Sequence, residues 1–159
     1  MNAVFAGTFD PFTLGHLDIA KRAAKIYDKV FIAIAKSDEK HCMFDLAKRE
    51  EIVKVSLACI KNVHIYAFDG LLTEFCKERK CNILVRGLRT VNDFEYERAL
   101  AFVYKDLNPE IESVFFINNP NYSHIHSSLI RQLIVHKADI SSMVHEDAVK
   151  LIFEFNKGM

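Results

Sequence analysis

The chain reads as an α/β protein: an open, doubly wound parallel sheet with helices on both faces. Three observations predict it. Short apolar runs rich in Val, Ile, Phe and Ala alternate with longer stretches of helical period. The apolar runs are near-continuous, which marks strands covered on both faces. A turn carrying two glycines, two threonines and a histidine, Gly7 to His16, joins the first such run to the first helical stretch. Crossovers in such a sheet are right-handed.

Each element follows in order. Ala3-Val4-Phe5-Ala6 reads as a buried first strand, and the helical period runs from Leu17 to Tyr27, with His16 in the first turn. Val30 to Ala35 is apolar and β-branched, a second strand. Asp45 is placed to cap a helix running to about Ile60, with Ile52, Val55 and Cys59 on one face. Val63 to Phe68 is the third strand, Leu71 to Lys80 a short helix, and Asn82 to Val85 the fourth strand. Val91 to Leu107 is a longer helix, stopped by Asn108-Pro109 because the residue before a proline is pushed out of the helical region. Ser113 to Ile117 is the fifth strand; helices follow over Ser127 to Lys137 and Val144 to Phe155. With no internal repeat, low-complexity segment or linker, residues 1–159 read as one domain.

Composition narrows the function. Half of the residues are hydrophobic, which is globular, and 21 basic residues balance 21 acidic ones. No basic excess points to nucleic acid. No charged and apolar leader precedes the first strand, and no apolar run approaches the roughly 20 residues of a membrane span, so a cytoplasmic protein is expected. Cys42, Cys59, Cys76 and Cys81 form no C-x-x-C pair and have no histidine at zinc-site spacing, so they read as free thiols. His124 and His126 lack a third ligand, and no protein-held metal is expected.

Open parallel sheets bind ligands beyond the carboxyl ends of their strands. That rule selects four loops: Gly7 to His16, Lys36 to Phe44, Arg86 to Thr90, and Asn118 to Ser128. Each offers groups for an anion. The first supplies backbone amides, hydroxyls and His16 at a helix N-terminus. The second supplies Lys36 and Lys40, the third Arg86 and Arg89, the fourth Tyr122-Ser123-His124-Ile125-His126-Ser127-Ser128 opening a helix. Asp93 and Glu97 lie within reach of the arginines, so pairing inside the protein is their alternative role. Taken alone, Leu72 and Leu100 read as core and Glu97 as a surface charge. The first turn is neither G-x-x-x-x-G-K-[ST] nor G-x-G-x-x-G. No nucleophile elbow or His-carboxylate pair is evident. Cations without a base suit transfer onto a nucleophile that is already ionised; a phosphate monoester, with a second pKa near about 6, is one.

Several motifs occur in one order: Gly7-Thr8-Phe9-Asp10-Pro11, Gly15-His16, Met43-Phe44, Val85-Arg86-Gly87-Leu88-Arg89, Asp93-Phe94-Glu95-Tyr96-Glu97, Asn108-Pro109-Glu110-Ile111-Glu112-Ser113 and Ser127-Ser128. Together they resemble the bacterial phosphopantetheine adenylyltransferases, of the nucleotidyltransferase superfamily with a T-x-G-H signature. The resemblance spans nearly the whole chain. It implies reversible adenylyl transfer from ATP to 4′-phosphopantetheine, giving dephospho-coenzyme A and pyrophosphate, with Mg²⁺ carried by the ATP phosphates. It implies catalytic roles for Thr8, His16, Lys40 and Arg89, His16 stabilising the α-phosphate in the transition state. Thr8, Lys40, Leu72 and Arg86 would hold phosphopantetheine. Thr8, Phe9, His16, Gly87, Leu88, Arg89, Glu97 and the run Tyr122, Ser123, His124, Ile125, His126, Ser127, Ser128 would hold ATP. It also implies a homohexamer, with which a Phe-rich C-terminal helix exposing apolar groups is compatible, and coenzyme A as an inhibitor.

The chain departs from the family pattern at four places. Phe5-Ala6 replaces Tyr-Pro, Leu14 replaces Asn, His126 replaces the first serine of the last loop, and Tyr104 replaces an Asn near the pantetheine arm. The alternatives are another small nucleotidyltransferase, acting for example on nicotinamide mononucleotide or glycerol phosphate, and a non-catalytic nucleotide sensor on the same fold.

Overall fold

A computed structural model describes residues 1–36 and 42–157. Five parallel strands form one sheet in the order β3-β2-β1-β4-β5: β1 (Asn2–Gly7), β2 (Lys29–Ala35), β3 (Val63–Phe68), β4 (Ile83–Leu88) and β5 (Glu112–Ile117). The helices are α1 (Leu14–Ile26), α2 (Leu46–Leu57), α3 (Leu72–Glu78), α4 (Val91–Leu107), α5 (Ser127–Val135) and α6 (Glu146–Lys157), with a 3₁₀ turn at Pro120–Tyr122. The expected α/β fold class is the one observed.

The period-2 geometry of the central strands divides the core. Ala3, Phe5, Val30, Ile32, Ile34 and Val85 face one cluster, packed by α1, α2, α5 and α6. Val4, Ala6, Phe31, Ala33 and Leu84 face the other, covered by α3 and partly by Tyr104 of α4. Ile32, Ile34 and Leu84 are fully buried, and each such side chain contributes about 1.5–3 kcal/mol. Helix α4 contributes no fully buried residue: Val91, Tyr96, Phe102, Val103 and Leu107 are exposed along it. In α6, by contrast, Phe153 and Phe155 are partly buried against the first cluster. The exposed apolar surface expected of the C-terminal helix therefore lies on α4. Among the described residues, no helix is long and apolar enough to cross a membrane.

Two boundaries differ from the sequence reading in ways that matter for the site. Helix α1 starts at Leu14, because Thr13 acts as its N-cap and accepts the His16 N–H. And β4 does not end at Val85. Arg86, Gly87 and Leu88 continue the ladder, opposite Phe115, Phe116 and Ile117 of β5. A ladder needs only backbone, so charged residues extend a strand where the partner strand extends too.

Candidate active site

After β3 the chain crosses to the far side of β1, so the topology reverses between β1 and β4, and a crevice opens at their carboxyl ends. A cavity of about 580 Å³ fills it. The β1–α1 turn, the end of β4, the N-terminus of α5 and Glu97 of α4 form its walls.

His16 sits on this cavity at the third position of α1. The Thr13 backbone N–H donates to His16 Nδ1 at 3.1 Å, and the His16 N–H returns to Thr13 Oγ1 at 3.3 Å. The two form a reciprocal cap in which the histidine takes the place usual for Glu or Gln. Because Nδ1 accepts a backbone N–H, the neutral ring carries its proton on Nε2. Phe9 and Phe12 pack on the ring with centroids at 5.1 and 5.3 Å. Burial, and then the charges of Arg89 and Arg86, lower its pKa from 6.5 to about 3. His16 is therefore a neutral N–H donor at ordinary pH, pointed by its cap.

The two arginines behave differently. Arg86 forks onto Glu97, Nε to Oε2 at 2.6 Å and Nη2 to Oε1 at 2.5 Å, while Nη1 donates to the Ala6 carbonyl at 2.8 Å. Arg89 forks onto Asp93 at 3.0 and 3.2 Å and is more exposed. Opposite them, α5 begins. His126 is its N-cap, with Nδ1 accepting the Leu129 N–H at 3.2 Å and lying 2.8 Å from Ser128 Oγ. Ser127 Oγ donates to the Pro11 carbonyl at 2.9 Å.

Close approach requires glycine at two positions. A Cβ on Gly7 would lie 2.9 Å from the Phe9 ring, and one on Gly87 would lie 2.9 Å from Asn118 Oδ1. That Asn118 oxygen is itself buried without a hydrogen-bond partner among the described residues.

Sequence comparison shows the family. The cytidylyltransferase-like family model matches residues 4–133. A phosphopantetheine adenylyltransferase of Campylobacter jejuni is 41% identical over 152 residues, covering 96% of both chains. Those of Helicobacter acinonychis and Nautilia profundicola are 41% and 38% identical, covering 94% and 93% of this chain and 95% and 96% of theirs. The chain belongs to the phosphopantetheine adenylyltransferases. A crystal structure provisionally assigned as a nicotinate-nucleotide adenylyltransferase of Vibrio parahaemolyticus superposes with a TM-score of 0.74 over 96% of this chain and 91% of its own. At 17% identity that likeness concerns the fold.

Of the residues the adenylyltransferase resemblance implies, Thr8, Phe9, His16, Arg86, Gly87, Arg89, Glu97, Ile125, His126, Ser127 and Ser128 line the one cavity. Leu88, Tyr122, Ser123 and His124 do not. Leu72 packs against the second core cluster, which includes Phe75. Lys40 lies outside the described residues. Glu97 is neither a free surface charge nor an open ligand here, since Arg86 occupies both its oxygens.

The sequence reading missed the groups that hold the site in shape. Asp10, almost wholly buried, accepts the Met43 and Phe44 N–H groups at 2.8 and 3.0 Å. Arg49, also buried, donates to the carbonyls of Phe44, Thr8 and Ala35. Arg131 of α5 lines the cavity and donates to the Asp10 carbonyl at 2.6 Å. A buried arginine inside a charged helix such as α2 gives no signal in sequence, because two of its acceptors, the carbonyls of Thr8 and Ala35, belong to distant segments.

Proposed function

We propose that this cleft transfers the adenylyl group of ATP reversibly to the phosphate of 4′-phosphopantetheine, giving dephospho-coenzyme A and pyrophosphate. The observation that carries the reading is His16: a neutral Nε2–H donor, fixed by Thr13, at the head of α1 and beside two arginines. Its 41% identical relatives that bear the adenylyltransferase name support it.

The chemistry follows from these groups. The triphosphate lies against the N-terminus of α5, whose Ser127 and Ser128 line the cavity, with Arg89 turning from Asp93 onto it. The acceptor phosphate, dianionic at neutral pH, needs no general base. Its oxygen forms a bond to the α-phosphorus as the bond to the bridging oxygen breaks and pyrophosphate leaves. His16 donates to the α-phosphoryl oxygen on which charge grows, so catalysis is positioning and charge stabilisation. Thr8 and Arg86, with Lys40, are assigned to the acceptor phosphate, and Leu72 to its pantetheine arm.

Asp10 and Glu97, the carboxylates that line the cavity among the described residues, are both engaged inside the protein. This donor set fits Mg²⁺ that arrives on the ATP phosphates and not in a carboxylate cage. The ion would supply neutralisation of the departing pyrophosphate. A homohexamer, inhibition by coenzyme A and a cytoplasmic location belong to the same reading; the exposed apolar residues of α4 support self-association.

The test is incubation with ATP, Mg²⁺ and 4′-phosphopantetheine. Dephospho-coenzyme A and pyrophosphate are expected in equal amounts. Pyrophosphate release driven by nicotinamide mononucleotide instead would reassign the acceptor, and ATP binding without turnover would make the protein a sensor.

A further inference from the structure

We propose that Arg49 is a positioning residue for adenylyl transfer, fixing the Thr8 side of the acceptor site from behind. The inference rests on the reading that the β1–α1 turn holds the reacting phosphates. Arg49 lies on α2, is 3% exposed, and touches neither the cavity nor any carboxylate within hydrogen-bond distance among the described residues. Its guanidinium spans three segments instead. Nε donates to the Phe44 carbonyl at 3.0 Å, and Nη1 donates to those of Thr8 and Ala35, both at 2.8 Å.

Those three carbonyls belong to the turn after β1, the end of β2 and the segment entering α2. One planar cation thus sets the distance between the two neighbouring strand ends. Asp10 completes the arrangement from the other side. It grips the N–H groups of Met43 and Phe44, so Phe44 is held at its N–H by the β1–α1 turn and at its carbonyl by Arg49. Thr8 is held at its carbonyl by Arg49. A shift of about 1 Å in such a turn is enough to cost on the order of 100-fold in rate.

The residue type is required by the geometry. A lysine presents a point charge on a flexible stem and cannot reproduce diverging donors in one plane. Arg49→Lys leaves buried carbonyls unpaired and frees the Thr8 turn. If Arg49 served stability alone, its loss would lower the melting temperature and leave kcat and KM intact well below it. The experiment therefore measures kcat, both KM values and ATP affinity by calorimetry, for wild type, Arg49→Lys, Arg49→Gln and, as a control buried on the same helix, Ser56→Ala.

The expected result is a loss of at least tenfold in kcat/KM for 4′-phosphopantetheine in both Arg49 variants. ATP affinity should stay within about threefold, because the triphosphate is held across the cleft by α5, and Ser56→Ala should keep its kinetics. Arg49 variants with wild-type kinetics and only a lowered melting temperature overturn the proposal. If neither folds, Asp10→Asn, which loosens Phe44 from the opposite side, must show the same selective loss; wild-type kinetics there overturn it as well. A wild-type protein inactive on 4′-phosphopantetheine refutes the assigned reaction, a result separate from any difference among variants.

Discussion

Arg86 and Glu97 meet fork to fork, with the side chains 19% and 11% exposed, whereas the parallel pair of Arg89 and Asp93 is 34% and 25% exposed. The difference in burial separates two arginines that stand three residues apart. A buried pair is costly to break, because the survivor keeps its charge in a poor solvent. A half-exposed pair is worth about 0–1 kcal/mol and exchanges partners readily.

Glu97→Ala should therefore behave as a structural lesion. It strands the Arg86 guanidinium, whose remaining bond is to the Ala6 carbonyl. A loss of about 3 kcal/mol is expected, the lower end for stranding one member of a buried pair. Urea denaturation reads it directly, as a lowered midpoint at unchanged slope. A midpoint within error of wild type would show that Glu97 does not hold Arg86.

Arg89→Lys should do the reverse. Stability stays within about 1 kcal/mol, since only an exchangeable pair is lost. KM for ATP rises, because a lysine cannot reproduce a forked phosphate contact. Steady-state kinetics with ATP varied at saturating acceptor test this, and unchanged kcat and KM would remove Arg89 from the nucleotide site.

Strand order and cavity together explain what was legible in the sequence. The near-continuous strands and the Gly7–His16 turn are local patterns, so fold class and the position of His16 could be read from residue order. The carboxyl-end rule then brought Thr8, Arg86 and Ser128 to one place. What could not be read was pairing across the chain. Nothing near Arg49 announces the carbonyls of Thr8 and Ala35, and Asp10 shows no local sign of the Phe44 amide. The end of β4 is illegible in sequence for a related reason. Arg86 looks like a loop residue until β5 supplies Phe115 opposite it. His126 has a physical account only in three dimensions, where its ring caps α5 in place of a hydroxyl.

Gly87 carries a packing prediction. A Cβ there meets Asn118 Oδ1 at 2.9 Å and Ile19 Cγ1 at 3.2 Å, in a strand that cannot shift without disturbing β5. Gly87→Ala should cost about 1–3 kcal/mol by overpacking. The same measurement on Gly70→Ala separates space from backbone conformation. Nothing lies within 4 Å of a Cβ there, but φ is +80°, so any cost at Gly70 is conformational. A Gly87→Ala protein as stable as wild type would mean that β4 and Asn118 yield freely.

His16 gives the last prediction. Its pKa of about 3 lies below the ordinary 6.5, so between these values the unfolded chain binds a proton that the folded protein refuses. Stability from this group is thus complete above about pH 6.5 and is lost as pH falls toward 3. Its ¹⁵N resonances should show a neutral ring, protonated on Nε2, from pH 8 down to about pH 4.5. His16→Ala should lower kcat by about 100- to 1000-fold, the usual cost of one transition-state donor. ATP affinity by calorimetry should change far less, because the contact strengthens only as charge grows on the α-phosphate. A ring that titrates near 6.5, or an alanine variant that loses ATP binding while keeping kcat at saturation, would make His16 a ground-state phosphate ligand and remove it from the chemical step.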